Sequence, residues 1–343
     1  MYQSIAVALN RTLADEMRRD RGVFVLGEDI STLGGAYQVT KGLLEEFGSE
    51  RVRDTPCSEI AIVGAGIGAS LAGMRPVIEL QFADFVFCAM DQVVNQAAKL
   101  RMMFGGQSSV PIVIRAPQGA TGRAAQHSQS VEAYFMHTPG LKVVLPSDAY
   151  DARGLLASAI RDDNPVLFLE HKLLYGSSSA GGKAKSVTGL FSSLRSAPEE
   201  EYTIPLGVAE IRREGNDVTV VATQYMLHLA LRVAEQFAQE GVSLEVINPR
   251  SVAPLDMDTI VHSVTKTGRL VAVSEDVLTC GVASEIVARV VEKCYSALKA
   301  APQRVGTLDT PIPFAPESEK FVLPSEEKIS DAIRRALSTA TSL

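Results

Sequence analysis

The sequence predicts an α/β protein built as two doubly wound domains. Three observations lead there. Short, nearly continuous apolar runs alternate with segments of helical period, which is the pattern of a parallel sheet covered on both faces. At 343 residues the chain has room for two such units at roughly 100–200 residues each. Between them, residues 175–200 (YGSSSAGGKAKSVTGLFSSLRSAPEE) turn rich in Ser and Gly and lose periodicity. The expected division is a first domain over 1–175, a linker or mobile loop over 176–200, and a second α/β domain over 201–343.

Taken in order, the opening MYQSIAVALNRTLADEMRRD reads as an amphipathic helix. It lacks the cationic start and apolar block of a secretory leader, so the expected location is the cytoplasm. Strands follow at 23–29, 76–81, 111–117, 142–147 and 165–171, each rich in Val, Ile and Leu. Helical segments are expected at 84–103 and 151–162. Past the linker, strands at 217–223, 243–250 and 269–276 alternate with helices at 226–241 and 281–300.

Composition excludes several functions. Apolar residues make up 46% and charged residues 21%, as in an ordinary globular protein. A net charge of -7 argues against general affinity for nucleic acid or anionic membrane. Charged residues interrupt every apolar run before it could span a bilayer. Cys57, Cys88, Cys280 and Cys294 are scattered and form no C-x-x-C pair, which suits reduced thiols better than a disulfide framework. The five histidines do not cluster, and no H-E-x-x-H zinc motif occurs.

One stretch, RDTPCSEIAIVGAGIGASLAG (53–73), holds two competing signals. From Gly64 to Ala69 it reads G-x-G-x-x-A, the outline of a dinucleotide fingerprint. The next strand begins at Pro76, which leaves too few residues for a crossover of at least about 10–12. A helix from Glu59 to Ala72, capped by Ser58, fits better. Glycine in a helix costs about 1 kcal/mol relative to alanine. Three of them imply that another backbone comes close, as in a packed interface. Glu59 then lies in the first turn. It is either an acid favoured by the helix dipole or a functional carboxylate, and local chemistry leaves both open.

A wider pattern bears on that choice. The run from Glu59 through MRPVIELQFADFVFCAMDQVVNQAAKLRMMFGG, then PIVIRAPQGA, AAQHSQSVEAYFMHTPGLKVVLPSDAYDARGLLASAIRDDNPVLFLEHKLLYG and YTIPLGVAEIRREGNDVTVVA, resembles the beta subunit of thiamine-diphosphate-dependent 2-oxo acid dehydrogenases. These are the heterotetrameric decarboxylating components of pyruvate, branched-chain and acetoin dehydrogenase complexes. The likeness runs through almost the whole chain in order. It implies a transketolase-like pyrimidine-binding domain followed by a transketolase C-terminal-like domain. Residues 177–198 depart from it, being longer and richer in Ser and Gly than the usual connector.

The resemblance implies roles for particular residues. Glu59 matches the glutamate that hydrogen-bonds the cofactor's aminopyrimidine, Phe85 the aromatic packed on that ring, and His127 the active-site histidine of acyl transfer. Read from the residues alone, Phe85 is a core residue of FADFVF rather than a ligand contact. His127-Ser128 is not a hydrolase pair, because neighbours in sequence do not face each other and no G-x-S-x-G is present. The resemblance also implies a structural potassium ion held by Ile112, Ala159, Ile160, Asp162 and Asn164, partly through main-chain carbonyls. The alternative there is a plain helix end and turn.

The G-D-G that starts the metal-diphosphate motif of this superfamily is missing. The expected arrangement is therefore a half-site. This chain holds the pyrimidine, and an alpha subunit brings magnesium and the diphosphate in an assembly of two alpha and two beta chains. The small-residue helix then serves a close subunit contact, and the second domain serves assembly and docking of a lipoyl-bearing acyltransferase core. The expected reaction is decarboxylation of a 2-oxo acid, most simply pyruvate, with acyl transfer to a lipoyl domain. Acetoin cleavage is the near alternative. An NAD-dependent oxidoreductase and a non-catalytic assembly homologue remain as other classes.

Overall fold

The computed structural model describes residues 4–175 and 192–338. The first half runs α1 (Ile5–Arg19), β1 (Val23–Gly27), α2 (Leu43–Phe47), β2 (Val52–Asp54), α3 (Glu59–Leu71), β3 (Arg75–Glu79), α4 (Leu100–Met103), β4 (Val113–Gln118), α5 (Glu132–Met136), β5 (Lys142–Val144), α6 (Ala149–Arg161) and β6 (Val166–His171). The second half runs β7 (Glu210–Arg213), β8 (Val218–Ala222), α7 (Gln224–Gln239), β9 (Leu244–Asn248), β10 (Ser251–Ala253), α8 (Met257–Thr267), β11 (Leu270–Val277), α9 (Val282–Cys294), β12 (Gln303–Thr307), α10 (Pro316–Val322) and α11 (Glu326–Leu337).

Two sheets result. The first has the order β10-β5-β6-β4-β3-β1-β2 and the second β12-β11-β8-β9-β7. Among the described residues every pairing is parallel except β10 with β5 and β7 with β9. The first sheet is covered on both faces, as its apolar strands require. Val113, Val166 and Phe168 point into a core with α1 and α6, while Ile114, Leu167 and Leu169 point into a core with α3. Strand β10 comes from the second half of the sequence yet pairs with β5 of the first sheet. The core under α3 accordingly continues without a break to Val252, Ile260 and Ile286.

Helix α1 follows its sequence pattern. Ser4 caps its N-terminus by accepting from the Val7 amide, and Ile5, Leu9, Leu13 and Met17 form the buried stripe. Helix α3 also forms where the sequence places it. Ser58 occupies the N-cap position, but its side chain makes no capping bond. One of the three glycines is explained within the chain: a Cβ on Gly66 would lie 2.7 Å from Ile78 Cδ1 and 2.9 Å from Ile112 Cδ1. The opposite face, with Ile60, Ala61, Ala65, Gly68 and Leu71, is exposed.

The expected single helix over 84–103 does not form. The segment is a 3-10 turn (Ala83–Ala89), a π-helical turn (Gln92–Ala97) and the short α4. Wide π turns recur at functional sites. This one buries Val93 and Ala97 against α3, and the 3-10 turn before it leaves Cys88 exposed.

Of the Ser/Gly-rich stretch, residues 176–191 lie outside the described residues. Its last part is tied to both halves. Arg195 pairs with Asp148 and Asp151 of the α6 segment and with Glu210 of β7. No helix among the described residues is long and apolar enough to cross a membrane.

Candidate active site

In parallel sheets, ligand-contacting groups collect beyond the carboxyl ends of the strands. Here Glu28 follows β1, Glu59 follows β2 as the first residue of α3, Phe82 and Phe85 follow β3, His127 follows β4, and Lys172 follows β6. The sheet order sets these ends side by side.

Beneath them lies a buried ion cluster. Arg115 of β4 reaches Glu79 of β3 at 2.6 Å and Glu170 of β6 at 2.7 Å, and all three are buried. Tyr175 donates its hydroxyl to Glu170 at 3.0 Å. Burial pushes the Glu170 carboxyl up to about 7 despite the neighbouring guanidinium. The cluster locks three adjacent strand ends in register and so gives the loops above them a fixed base.

An aromatic group stands on that base. Tyr37 stacks on Tyr175 with ring centroids 4.5 Å apart and meets Phe82 edge-on at 6.3 Å. The His127 imidazole meets Phe82 edge-on at 5.0 Å and Phe85 at 5.5 Å. Two cations face the Phe82 ring: the Lys172 ammonium 5.1 Å from its centroid and the Arg123 guanidinium 5.6 Å from it. Phe85 and His127 are both half-buried and present surface to solvent.

Glu59, also half-buried, heads α3, which packs on the 3-10 turn carrying Phe85. Cys57 lies close by. The negative charges of Glu28 and then Glu59, with a hydrogen bond to Glu28, push its thiol up, so it stays protonated. Phe85 and His127 therefore meet from two separate loops, and Glu59 heads the helix that packs on the first of them.

The loop from Gly119 to Ser130 that carries His127 is held at many points. Gly119 has φ +91°, and any Cβ there would lie 2.4 Å from His171 Nε2, so the loop must begin with glycine. Its amide donates across the loop to Gln129 O at 3.1 Å. The amide and side chain of Gln129 both donate to Asp84 Oδ1. The second domain supplies two more ties. Glu275 of β11 accepts from the Ala120 amide at 2.7 Å and from Ser130 at 3.3 Å, while its other oxygen lies 2.9 Å from His171 Nε2. Glu319 of α10 accepts from the Gly122 amide at 2.8 Å. Burial alone would raise the Glu275 carboxyl, but His171 and the Ala120 amide outweigh it and hold it below the usual range. Lys172 donates to the main-chain carbonyl of His127.

Sequence reasoning does not find Glu275, Glu319, His171 or Lys172. The first two lie about 145–197 residues from the loop they hold, and no local pattern marks them. The signal within reach is the EHK that ends β6, three charged or titratable residues where the apolar run leaves the core.

The five residues assigned to an ion lie together at the other end of the sheet, where α6 ends and β4 and β6 begin. Arg75 donates to the carbonyls of Ile160 at 3.1 Å and Asp162 at 3.0 Å. Ile112 O accepts from Val166 and Ala159 O from Asp162. The Asp162 carboxylate pairs with Lys142 and accepts from Asn164. Each carbonyl oxygen has a second lone pair, and a helix C-terminus favours positive charge. The donor set thus suits an oxygen-seeking cation, although the chain's own arginine already serves part of it.

A large groove, about 1470 Å³, opens beside the loop. Ser128, Glu275, Asp276, Cys280 and Arg289 are among the residues lining it, and Glu59, Phe85 and His127 are not. No group of three or more His, Cys, Asp or Glu able to hold a metal occurs among the described residues.

Residues 2–178 match the transketolase pyrimidine binding domain, and residues 207–329 match the transketolase C-terminal domain. The chain is 43% identical to the 2-oxoisovalerate dehydrogenase subunit beta of Bacillus subtilis, over 95% of this chain and 96% of that one. It is 46% identical to the acetoin:2,6-dichlorophenolindophenol oxidoreductase subunit beta of Cupriavidus necator, over 97% of each. It is 44% identical to the pyruvate dehydrogenase E1 component subunit beta of Rickettsia felis, over 98% of each. A solved structure of a split-gene transketolase, an inactive beta4 tetramer, shares the fold, with a TM-score of 0.77 over 99% of each chain at 22% identity.

Proposed function

This chain belongs to the family of E1 beta subunits of 2-oxo acid dehydrogenases, built from transketolase-type domains, and on that premise we propose that it is the beta subunit of a pyruvate dehydrogenase-type decarboxylating component. The family depends on thiamine diphosphate and works with an alpha subunit. The reaction is oxidative decarboxylation of a 2-oxo acid with transfer of the acyl group to a lipoyl domain. The acetoin reading is kept alive by a 46% identical relative that spans both chains.

One observation supports the reading: the Phe85 and His127 rings meet beyond the carboxyl ends of neighbouring strands, on a base locked by Arg115, and α3, headed by Glu59, packs on the turn that carries Phe85. These residues suit the pyrimidine half of thiamine diphosphate. Glu59 offers a carboxylate at the head of a helix, able to hold a proton against a ring nitrogen. Phe85 and Phe82 offer an apolar ring surface that keeps water off one face of a planar heterocycle. His127 offers an imidazole whose two ring nitrogens can donate and accept hydrogen bonds. When bound, the cofactor supplies the nucleophilic carbon and the electron sink. Magnesium and the diphosphate belong to the alpha subunit, because this chain has no G-D-G.

The finer parts of the reading are two alpha and two beta chains, a lipoyl-bearing acyltransferase core as the docking partner, and a structural potassium ion at Ile112, Ala159, Ile160, Asp162 and Asn164. Arg75 supports that loop from one side, and the ion would use the remaining lone pairs.

Glu59→Gln tests the central assignment. The amide preserves shape but cannot hold the same proton. Assembled with the alpha subunit, the variant is expected to fold and bind cofactor. Proton exchange at the cofactor's reactive carbon, followed by NMR in deuterated water, should fall by about 10²–10⁴-fold. Exchange at the wild-type rate would reduce Glu59 to a helix-end acid.

A further inference from the structure

Lys172 is an odd residue to find where it is. It is 4% exposed, with its ammonium over the Phe82 ring. A buried lysine ordinarily needs a carboxylate partner. This one instead spends its hydrogen bond on a neutral group, the main-chain carbonyl of His127. The charged groups that face it come from four elements. Asp84 lies in the turn after β3, Arg123 in the His127 loop, Glu275 on β11 and Glu319 on α10. Asp84, Glu275 and Glu319 stabilise the ammonium from a distance: one Asp84 oxygen accepts from Gln129 while the other is buried without a hydrogen-bond partner, and Glu275 is bonded to Ala120 and His171.

We infer that Lys172 is a positioning residue for His127: its ammonium grips the carbonyl of that residue and so fixes where the imidazole stands against Phe82 and Phe85. The Lys172 nitrogen lies 5.1 Å from the Phe82 centroid, and the imidazole lies 5.0 Å from the same ring. One ring therefore braces both residues. The other ties on the loop hold it at Gly119, Ala120, Gly122 and Gln129. Lys172 is the side-chain tie at the histidine itself. Burial also brings the ammonium down to about 8. The grip is then full below that value and weakens as pH rises through it. The inference rests on the reading of His127 as an active-site residue.

The test uses the assembled enzyme with its alpha subunit and a lipoyl domain. Lys172→Met, Lys172→Arg, His127→Ala and the double variant His127→Ala/Lys172→Met are compared. Displacing a catalytic group by about 1 Å costs on the order of 10²-fold, so Lys172→Met should slow acyl transfer to the lipoyl domain by about 10–100-fold. Cofactor affinity and melting temperature should stay near wild type. Lys172→Arg keeps a charge that does not titrate. It should recover much of the rate and shift the alkaline limb of the kcat profile from near pH 8 to higher pH. On the His127→Ala background, Lys172→Met should cost less than about 2-fold more, because the two act as one unit. Wild-type rate and an unmoved alkaline limb in both Lys172 variants would overturn the inference. So would a full, independent loss in the double variant. If His127→Ala itself retains near-normal rates, the active-site map fails first, and the inference with it.

Discussion

Glu275→Ala removes the strongest tie between the second domain and the His127 loop. The side chain is 7% exposed and makes three contacts, to Ala120 N at 2.7 Å, His171 Nε2 at 2.9 Å and Ser130 Oγ at 3.3 Å. Truncation strands the buried Ala120 amide and His171 without their carboxylate. Removing one partner of a buried charged network costs about 3–5 kcal/mol, partly offset because a costly buried carboxylate is gone. At roughly 2–4 °C per kcal/mol, the melting temperature should drop by about 5–15 °C. The sign of the pH dependence follows from the carboxyl being held below its ordinary value of 4.5. Its stabilising contribution is present above 4.5 and is lost as pH falls through the lower folded value, so the gap between variant and wild type should close in acid. Differential scanning calorimetry from about pH 7 down into that acid range measures this. Acyl transfer should fall along with stability, and Glu275→Gln should recover about half of both, since the amide oxygen still accepts from Ala120. An alanine variant with wild-type melting temperature and wild-type transfer rate would refute the claim that the second domain holds the His127 loop.

Glu132 lies buried on α5 with one carboxylate oxygen unpartnered, and burial and then the charge of Asp276 push its carboxyl up to about 8. An acid raised on folding loses stability as pH climbs from about 4.5 to 8, so the melting temperature of Glu132→Gln relative to wild type should rise over that window; a constant difference would contradict this. Replacing potassium by choline should lower the melting temperature of the wild-type assembly slightly, and that of Arg75→Met more, because Arg75 already holds two of the loop carbonyls. Equal insensitivity of both proteins to potassium would exclude the ion.

The sheets are readable in the sequence because strands buried on both faces are apolar throughout. The strands β1, β3, β4, β5 and β6 all form inside or within a residue of the predicted runs. Short edge strands are not readable. β2 and β10 are three residues each, and β10 exists because the chain returns to pair with β5. The broken segment 84–103 carries a helical pattern throughout, and tertiary packing on α3 decides between α, 3-10 and π turns. At the site, Glu59, Phe85 and His127 are legible only through family likeness and remain assignments to be tested by substitution. The spacing of small residues that locates α3 has no counterpart for Glu275 and Lys172. Their role depends on which loops the folded chain brings together, and that is set by contacts between distant segments.

The half-site is the central claim, and cofactor binding tests it most directly. Thiamine diphosphate with magnesium is titrated by calorimetry into this chain alone, into the alpha subunit alone, and into the two assembled. Tight, magnesium-dependent binding by the assembly is expected, and none measurable by this chain alone, because Glu59 and Phe85 are proposed to hold the pyrimidine end and the partner the diphosphate end. Tight magnesium-dependent binding by this chain alone would contradict it.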